Sequence, residues 1–99
     1  MNTLTLSDIL DDLQAAEEGL HRFERRYWIS SDDFFKLYLD GQLGDGENAE
    51  DIAEWAGHIK LRQKRLAALE QLSSQRLESL RRKSERIQLT PAEPALKLA

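Results

Sequence analysis

Apolar residues near the N-terminus recur at alternating steps of four and three positions, namely Ile9, Leu13, Ala16, Leu20, Phe23 and Tyr27. This spacing places their side chains on one stripe of an α-helix. Ser7 can cap such a helix, and the aspartates that follow it lie close to the positive end of the helix dipole. The pattern therefore predicts a first helix over residues 7–27.

A second, shorter helix is indicated after two consecutive serines. Ser30 and Ser31 favour a new N-cap over a continued helix, because their hydroxyls compete for backbone hydrogen bonds. Aromatic and aliphatic residues follow, and Gly41 stands where the end of a helix often requires a positive φ. The second helix is predicted over residues 31–40.

The third predicted helix is the longest. It follows the segment 41–46 (GQLGDG), which holds three of the five glycines and predicts a loop. No proline then occurs before Pro91, so the helix is predicted over residues 48–87. The segment 90–99 contains both prolines and is predicted to be a flexible tail. The apolar stripe of the third helix consists of Ile52, Trp55, Ile59, Leu66, Leu69, Leu80 and Ile87.

Together these elements predict an all-α fold, a helical hairpin with a short middle helix and a long C-terminal coiled-coil-like helix. A chain of 99 residues seldom closes two separate cores, so residues 1–89 are expected to form a single helical domain. At 1.5 Å per residue, the first helix would span about 30 Å and the third about 60 Å. The first helix is therefore too short to cover the third.

The uncovered part of the third helix is the predicted partner-binding site. A helical overhang that carries several leucines is poorly stable in water unless another chain buries it. Each leucine that becomes fully buried contributes about 1.5–3 kcal/mol, which would offset the entropy lost on ordering the segment. The residues expected to contact a partner are Leu66, Leu69, Leu72, Arg76, Leu77, Leu80 and Arg81.

The charges are distributed unevenly along the chain. Residues 1–57 carry fourteen acids against four bases, whereas residues 58–99 carry ten bases against four acids. This polarity favours electrostatic steering toward a charged partner. The chain has no cysteine, no N-terminal apolar signal and no apolar stretch of the length that a membrane span requires. We therefore expect a cytoplasmic protein that does not contact a membrane.

Candidate chemistry is sparse. His21 and His58 lie far apart in sequence and match no metal-ligand motif. Adjacent carboxylates such as those of Asp11 and Asp12 point about 100° apart on a helix and would not share a substrate. The GQLGDG loop lacks the lysine of a phosphate-binding P-loop. We expect a protein without enzymatic activity, without a cofactor and without a metal.

Nucleic acid is an alternative partner, because lysines and arginines recur along the third helix from Lys60 to Arg86. However, Glu70, Glu78 and Glu85 interrupt them, and the chain has a pI of about 5.2. Neither a helix-turn-helix pattern nor a basic patch with interleaved aromatic residues is present. A protein partner is therefore favoured over DNA.

The middle of the chain contains a combination of five short segments, namely Phe23-Glu24-Arg25-Arg26-Tyr27, Ser30-Ser31-Asp32-Asp33-Phe34, Tyr38, Gly41-Gln42-Leu43-Gly44-Asp45 and Glu54-Trp55-Ala56-Gly57. This combination resembles a pattern in small bacterial proteins, common in cyanobacteria, that act as antitoxins of toxin–antitoxin pairs. The similarity covers about residues 9–60. The stretch between Asp45 and Glu54 is longer than in the pattern, and the basic extension beyond Leu69 lies outside it.

The resemblance implies that the chain neutralises a cognate toxin, often a ribonuclease-like protein, by binding to it directly. Two alternatives stay open. The chain could be a structural coiled-coil protein that self-associates through its C-terminal helix as a homo-oligomer, or a DNA-binding autoregulator. Phe34, Tyr38 and Trp55, although part of the resemblance, are expected to lie in the core of the protein itself.

Overall fold

A computed structural model describes residues 4–44, 46–82 and 86–92. It contains three α-helices: α1 (Leu6–Tyr27), α2 (Ser31–Leu39) and α3 (Ala49–Arg81). The predicted all-α fold is confirmed, since α1 and α3 form an antiparallel hairpin and α2 is a short helix between them. Within the described ranges, none of the helices combines the length and the apolar character needed to cross a membrane.

Helix α1 begins one residue before the predicted start, because Thr5 rather than Ser7 caps it. The Thr5 hydroxyl accepts a hydrogen bond from the Asp8 amide at 3.1 Å, and the Asp8 carboxylate accepts one from the Thr5 amide at 3.1 Å. This reciprocal capping box needs an acceptor three residues after the cap, and Leu10 at that distance from Ser7 supplies none. The bond from the Thr5 backbone, aided by the Thr5 side chain, also holds the pKa of Asp8 below its usual value.

Helix α2 begins where the serines predicted it. The Ser30 hydroxyl accepts a hydrogen bond from the Asp33 amide at 3.1 Å and forms the N-cap. The helix ends at Leu39, one residue before the predicted end, and the chain then turns through Gly41, whose φ is 67°. Positive φ carries no steric penalty for glycine, so a tight turn can follow the helix directly.

Helix α3 ends at Arg81, six residues before the predicted end at Ile87. The described residues 86–92 are not helical, and the Arg76 guanidinium donates a hydrogen bond to the carbonyl oxygen of Thr90 at 2.8 Å. The chain therefore turns back beside α3. Arg81, Arg82 and Lys83 offer no apolar side chain to pack, and a helix end without packing has little stability of its own. Of the predicted tail, residues 93–99 lie outside the described residues.

The pairing of α1 with α3 is fixed by ion pairs along their length. Arg62 contacts Glu17 at 2.5 Å, and Arg65 contacts Asp12 at 2.6 Å. Helix α1 therefore continues alongside α3 beyond Arg65. Near the N-terminus of α1, the side chain of Ile9 is fully buried. With 22 residues in α1 and 33 in α3, the third helix extends past the first by about 15 Å, roughly half of the expected overhang.

Trp55 is the centre of the core at the α2 end of the hairpin. Its indole lies 3.9 Å from the Phe34 ring, centroid to centroid, and stacks also on Phe23 and Tyr27. The indole N–H donates to the Ser31 hydroxyl at 2.9 Å, so its one polar atom is satisfied. The prediction that Phe34 and Trp55 lie in the core is confirmed, with 3% and 2% of their surface exposed.

Two helical glycines have different surroundings. A Cβ at Gly19 would lie 2.6 Å from the imidazole ring of His58, whereas a Cβ at Gly57 would meet no atom within 4 Å. Helix α1 therefore approaches the His58 side chain closely at Gly19, while nothing in the fold requires a glycine at position 57.

This contrast predicts opposite effects for the same substitution. Gly57→Ala should raise the free energy of unfolding by about 0.5–1 kcal/mol, because alanine restricts the unfolded chain and favours helix. Gly19→Ala should lower the free energy of unfolding by about 1 kcal/mol. The cost of overpacking against His58, about 1–3 kcal/mol, outweighs the stabilisation that alanine brings to the helix. Urea denaturation followed by circular dichroism measures both. Equal stabilisation of the two variants would show that His58 moves away at no cost.

Candidate partner-binding surface

The seven residues predicted to contact a partner differ widely in exposure. Leu72 and Leu80 are 8% and 6% exposed, so the expectation that all the leucines of the overhang are uncovered is wrong for these two. Helix α1 runs further along α3 than expected, with its N-terminus near Leu72, whereas Leu80 lies beyond α1, where residues 86–92 return beside α3. Leu69 and Arg76 are half-buried, and the exposed members are Leu66, Leu77 and Arg81.

Arg76 is directed toward its own chain. Its guanidinium donates to the carbonyl oxygen of Thr90 at 2.8 Å and reaches the Thr90 hydroxyl at 3.3 Å. A guanidinium engaged in this way has fewer donors to offer to another molecule. That the seven residues contact a partner stays a prediction. To reach Arg76, Leu72 or Leu80, a partner would first have to displace the parts of the chain that cover them.

Trp28 is the most exposed large apolar residue in the described part of the chain. It follows the last residue of α1 directly, and 91% of its surface is accessible to solvent. Its backbone is left-handed, with φ 59° and ψ 36°. A bulky residue in this region is a conformational outlier that costs of the order of 1–2 kcal/mol. We call residues 28–30, which join α1 to α2, the Trp28 corner.

The Trp28 corner is held from both sides. Before it, the Tyr27 hydroxyl donates to the Asp51 carboxylate at 2.5 Å, and this hydrogen bond raises the pKa of Tyr27. After it, the Ser31 amide donates to the Glu24 carboxylate at 2.9 Å. Trp28 itself donates its amide to the Glu24 carbonyl at 2.9 Å, while its ring projects into solvent. The left-handed backbone of Trp28 is thus the C-cap of α1, and the exposed ring takes no part in the core.

Glu24 makes the Trp28 corner sensitive to acid. Burial raises the pKa of this carboxyl, but hydrogen bonds from His21 and Ser31 outweigh burial and leave the pKa below its usual 4.5. A carboxyl whose pKa is lower in the folded than in the unfolded chain stabilises the fold above about pH 4.5. That contribution is lost as the pH falls through the folded-state pKa.

We expect Glu24→Gln to lower the free energy of unfolding by about 1 kcal/mol at neutral pH, because an amide accepts these bonds less strongly than a carboxylate. The difference from the unsubstituted protein should shrink as the pH falls below 4.5, where Glu24 itself becomes protonated. Urea denaturation at a series of pH values measures it. A difference that is the same in acid and at neutral pH would mean that the charge of Glu24 is unimportant.

The electrostatic surroundings of the corner are mixed. Arg25 lines a shallow surface depression together with Glu24 and Trp28, and in the described part of the chain it forms no ion pair. Beyond the corner, residues 31–51 contain seven acids and one lysine. Five carboxylates of this end are exposed and have no basic partner among the described residues, namely Asp32, Asp33, Asp40, Glu47 and Glu50.

The residues that carry the resemblance to antitoxins meet around Trp55. Phe23, Tyr27 and Phe34 surround its ring, and Ser31 accepts its indole hydrogen bond. No protein-family model, curated protein or solved structure matches the chain. The resemblance therefore stays a prediction, and the shared residues have a sufficient explanation in the packing of the core.

Metal-ligating side chains do not cluster in the described part of the chain. Over residues 4–44, 46–82 and 86–92, no three histidine, aspartate or glutamate side chains come together in a way that could hold a metal ion. The histidines instead contact nearby carboxylates, His21 those of Glu17 and Glu24, and His58 that of Glu54. These contacts give the histidines a structural explanation.

Trp28 was not among the residues that the sequence predicted to contact a partner. One signal was present: Trp28 lies one position past the apolar stripe of α1, about 100° around the helix, and two positions before the serine that begins the next N-cap. A large aromatic residue that is off the stripe and at a helix end is a candidate for exposure.

Proposed function

We propose that this protein is a non-enzymatic protein-binding module, and that it serves as an antitoxin that neutralises a cognate toxin by direct contact. The observation that carries the proposal is the Trp28 corner, a tryptophan that is 91% exposed on a strained but well-anchored backbone. The left-handed C-cap of α1 would be less strained with glycine, so a tryptophan at this position supports a role outside the fold.

An exposed tryptophan at a fixed position is suited to protein recognition. Tryptophan is among the residues that most often dominate binding energy at protein interfaces, where it fills a pocket of the partner. The corner is anchored through Tyr27 and Ser31, so little backbone entropy remains to be lost on binding. Ile29 next to Trp28 is 39% exposed and enlarges the apolar contact.

The charge of the adjoining surface favours a basic partner. The acidic end formed by residues 31–51 would attract a positively charged surface over a long range and raise the rate of association. A toxin that acts on RNA needs such a surface to hold the phosphate backbone. Covering that surface would block access of the substrate without any chemistry on the part of the antitoxin.

DNA binding by the basic residues of α3 has weaker support. Arg62 and Arg65 contact Glu17 and Asp12, and Arg82 contacts Glu78 at 2.8 Å. These three arginines are neutralised by carboxylates of the same chain, so fewer cations of α3 are left to contact phosphates.

Coexpression with the product of the neighbouring gene tests the proposal. The neighbouring protein alone should arrest the growth of a bacterial host, the pair should restore growth, and the two proteins should copurify as a complex. The chain expressed at the same level with an unrelated toxin is the control and should not restore growth. Normal growth of cells that express the neighbouring protein alone would contradict the proposal.

A further inference from the structure

A second surface of the molecule carries exposed leucines from both long helices. Leu6, Leu10 and Leu66 are 40%, 48% and 41% exposed, and Leu13 and Leu69 are half-buried beside them in the helical repeat. We call these five residues the leucine strip. They lie away from the Trp28 corner, at the opposite end of α1.

The ion pair between Glu17 and Arg62 shows that the five leucines line one side of the hairpin. Its atoms lie 2.5 Å apart across the groove between α1 and α3. Leu13 and Leu10 come one and two turns before Glu17, and Leu66 and Leu69 come one and two turns after Arg62. Because the two helices are antiparallel, both sets extend in the same direction from the pair.

The leucine strip continues a groove that α2 covers at its other end. Glu17 and Arg62 border a surface cavity together with Ser30, Ser31 and Asp32, so α2 begins on this side of the hairpin. Helix α2 has only nine residues and packs against the half of α3 around Trp55. In the described part of the chain, no helix lies above the other half of the groove, and the leucines there are exposed for that reason.

The residues beside the strip are mostly uncharged. Leu10 is flanked in the helical repeat by Ser7 and Gln14, and Leu66 by Gln63 and Glu70. Three of these four neighbours are uncharged, and the charged residues Glu17 and Arg62 at the end of the strip form an ion pair with each other. An uncharged rim suits a contact between two identical surfaces, because a two-fold axis brings like residues together and a charged rim would repel itself.

The two ends of the molecule have opposite charges. Residues 31–51 contain seven acids and one lysine, whereas residues 73–82 contain three arginines and one glutamate. The strip lies between these ends, with Leu66 next to the middle of α3. A two-fold axis through the strip, perpendicular to α3, would bring the acidic end of each copy beside the basic end of the other.

We infer that the leucine strip is the interface of an antiparallel homodimer. Two hairpins that meet along it form a four-helix arrangement of the long helices. Apolar contact in the middle and opposite charges at the two ends both favour this one orientation. The inference is independent of the Trp28 corner, and a monomeric chain could still bind a toxin through that corner.

Sedimentation equilibrium of the full chain, with and without changes in the strip, tests the interface. The protein should show a concentration-dependent dimer, and Leu10→Gln with Leu66→Gln should raise the dimer dissociation constant by at least about tenfold. Ala15→Gln is the control, since it adds the same side chain at an exposed position outside the strip and should leave the constant unchanged. Monomer at every concentration would overturn the inference, including the case in which residues 93–99 of the same chain cover the strip.

Cysteine cross-linking tests the orientation, because the chain has no cysteine of its own. Glu70→Cys lies one turn after Leu66 on the same face of α3, near the proposed axis, and should form an intermolecular disulfide readily under mild oxidation. Leu77→Cys lies on the same face three turns after Leu66, far from the axis, and should not. Cross-linking through position 77 and not through position 70 would indicate parallel pairing of the C-terminal ends and would overturn the inference.

Discussion

Replacing Trp55 with alanine should lower the free energy of unfolding by about 3–5 kcal/mol, the range for large aromatic residues in a core. The whole stability of a domain of this size is about 5–15 kcal/mol, so much of the variant would be unfolded or close to it. The reason is the number of partners lost at once. Trp55 packs against Phe23, Tyr27 and Phe34, and it holds Ser31 through the indole hydrogen bond.

Urea denaturation followed by far-ultraviolet circular dichroism measures this effect. Leu39→Ala is the control, because Leu39 is a large apolar residue that is 67% exposed and should change the free energy of unfolding by less than about 0.5 kcal/mol. Ser31→Ala should lie between the two, since it leaves the buried indole N–H without an acceptor and costs about 1–3 kcal/mol. A Trp55→Ala variant as stable as Leu39→Ala would contradict the description of the core.

Trp28→Gly should have effects of opposite sign on stability and on binding. Glycine adopts the left-handed backbone of residue 28 without strain, so the free energy of unfolding should rise by about 1 kcal/mol. The same change removes the exposed indole, and the loss of a dominant interface tryptophan costs at least about 2 kcal/mol of binding, or roughly thirtyfold in affinity. The variant should therefore be more stable and fail to neutralise the toxin.

The two effects are measured separately, by denaturation of the purified variant and by growth rescue on coexpression with the neighbouring gene product. Trp28→Phe is the matched control, because it keeps both an aromatic ring and the strained backbone. It should retain part of the rescue and show no gain in stability. A Trp28→Gly variant that is less stable, or one that rescues growth fully, would mean that the residue serves the fold and not a partner.

Much of the fold follows from the sequence, because its main signals are local. The apolar stripe of α1, the serines before α2 and the glycines of the loop each act within a few residues, and all three helices were located from them. The end of α3 was predicted wrongly for the opposite reason. Residues 82–87 have no residue that breaks a helix, and the return of the chain to Arg76 depends on a contact with Thr90 fourteen positions away.

The exposure of individual leucines could be predicted only in part. Leu66 and Leu77 are exposed as expected, but Leu72 and Leu80 are not. The burial of Leu72 depends on how far α1 reaches along α3, whereas Leu80 lies in the part of α3 beyond α1, where residues 86–92 return beside the helix. Hydrophobic periodicity gives the face that a helix buries, but not its length of overlap with another helix.

Little of the candidate site could be predicted from the sequence beyond the position of Trp28 off the apolar stripe. The left-handed backbone of this residue is the C-cap of α1, a conformation that glycine usually marks in a sequence and that tryptophan does not. The exposure of the ring results from the direction in which the chain leaves α1. Local propensity disfavours a left-handed conformation for a bulky residue, so a conflict between sequence and structure occurs where we place the function.

The most direct test of the proposed contact uses the two indole N–H signals of the unmodified protein in a two-dimensional ¹H–¹⁵N spectrum. In the free protein, the signal of Trp55 should exchange slowly with water and that of Trp28 rapidly, since their exposures are 2% and 91%. On addition of the neighbouring gene product, the Trp28 signal should shift and become protected from exchange, while the Trp55 signal changes little. A complex that forms with the Trp28 signal unshifted and still in rapid exchange would contradict the account.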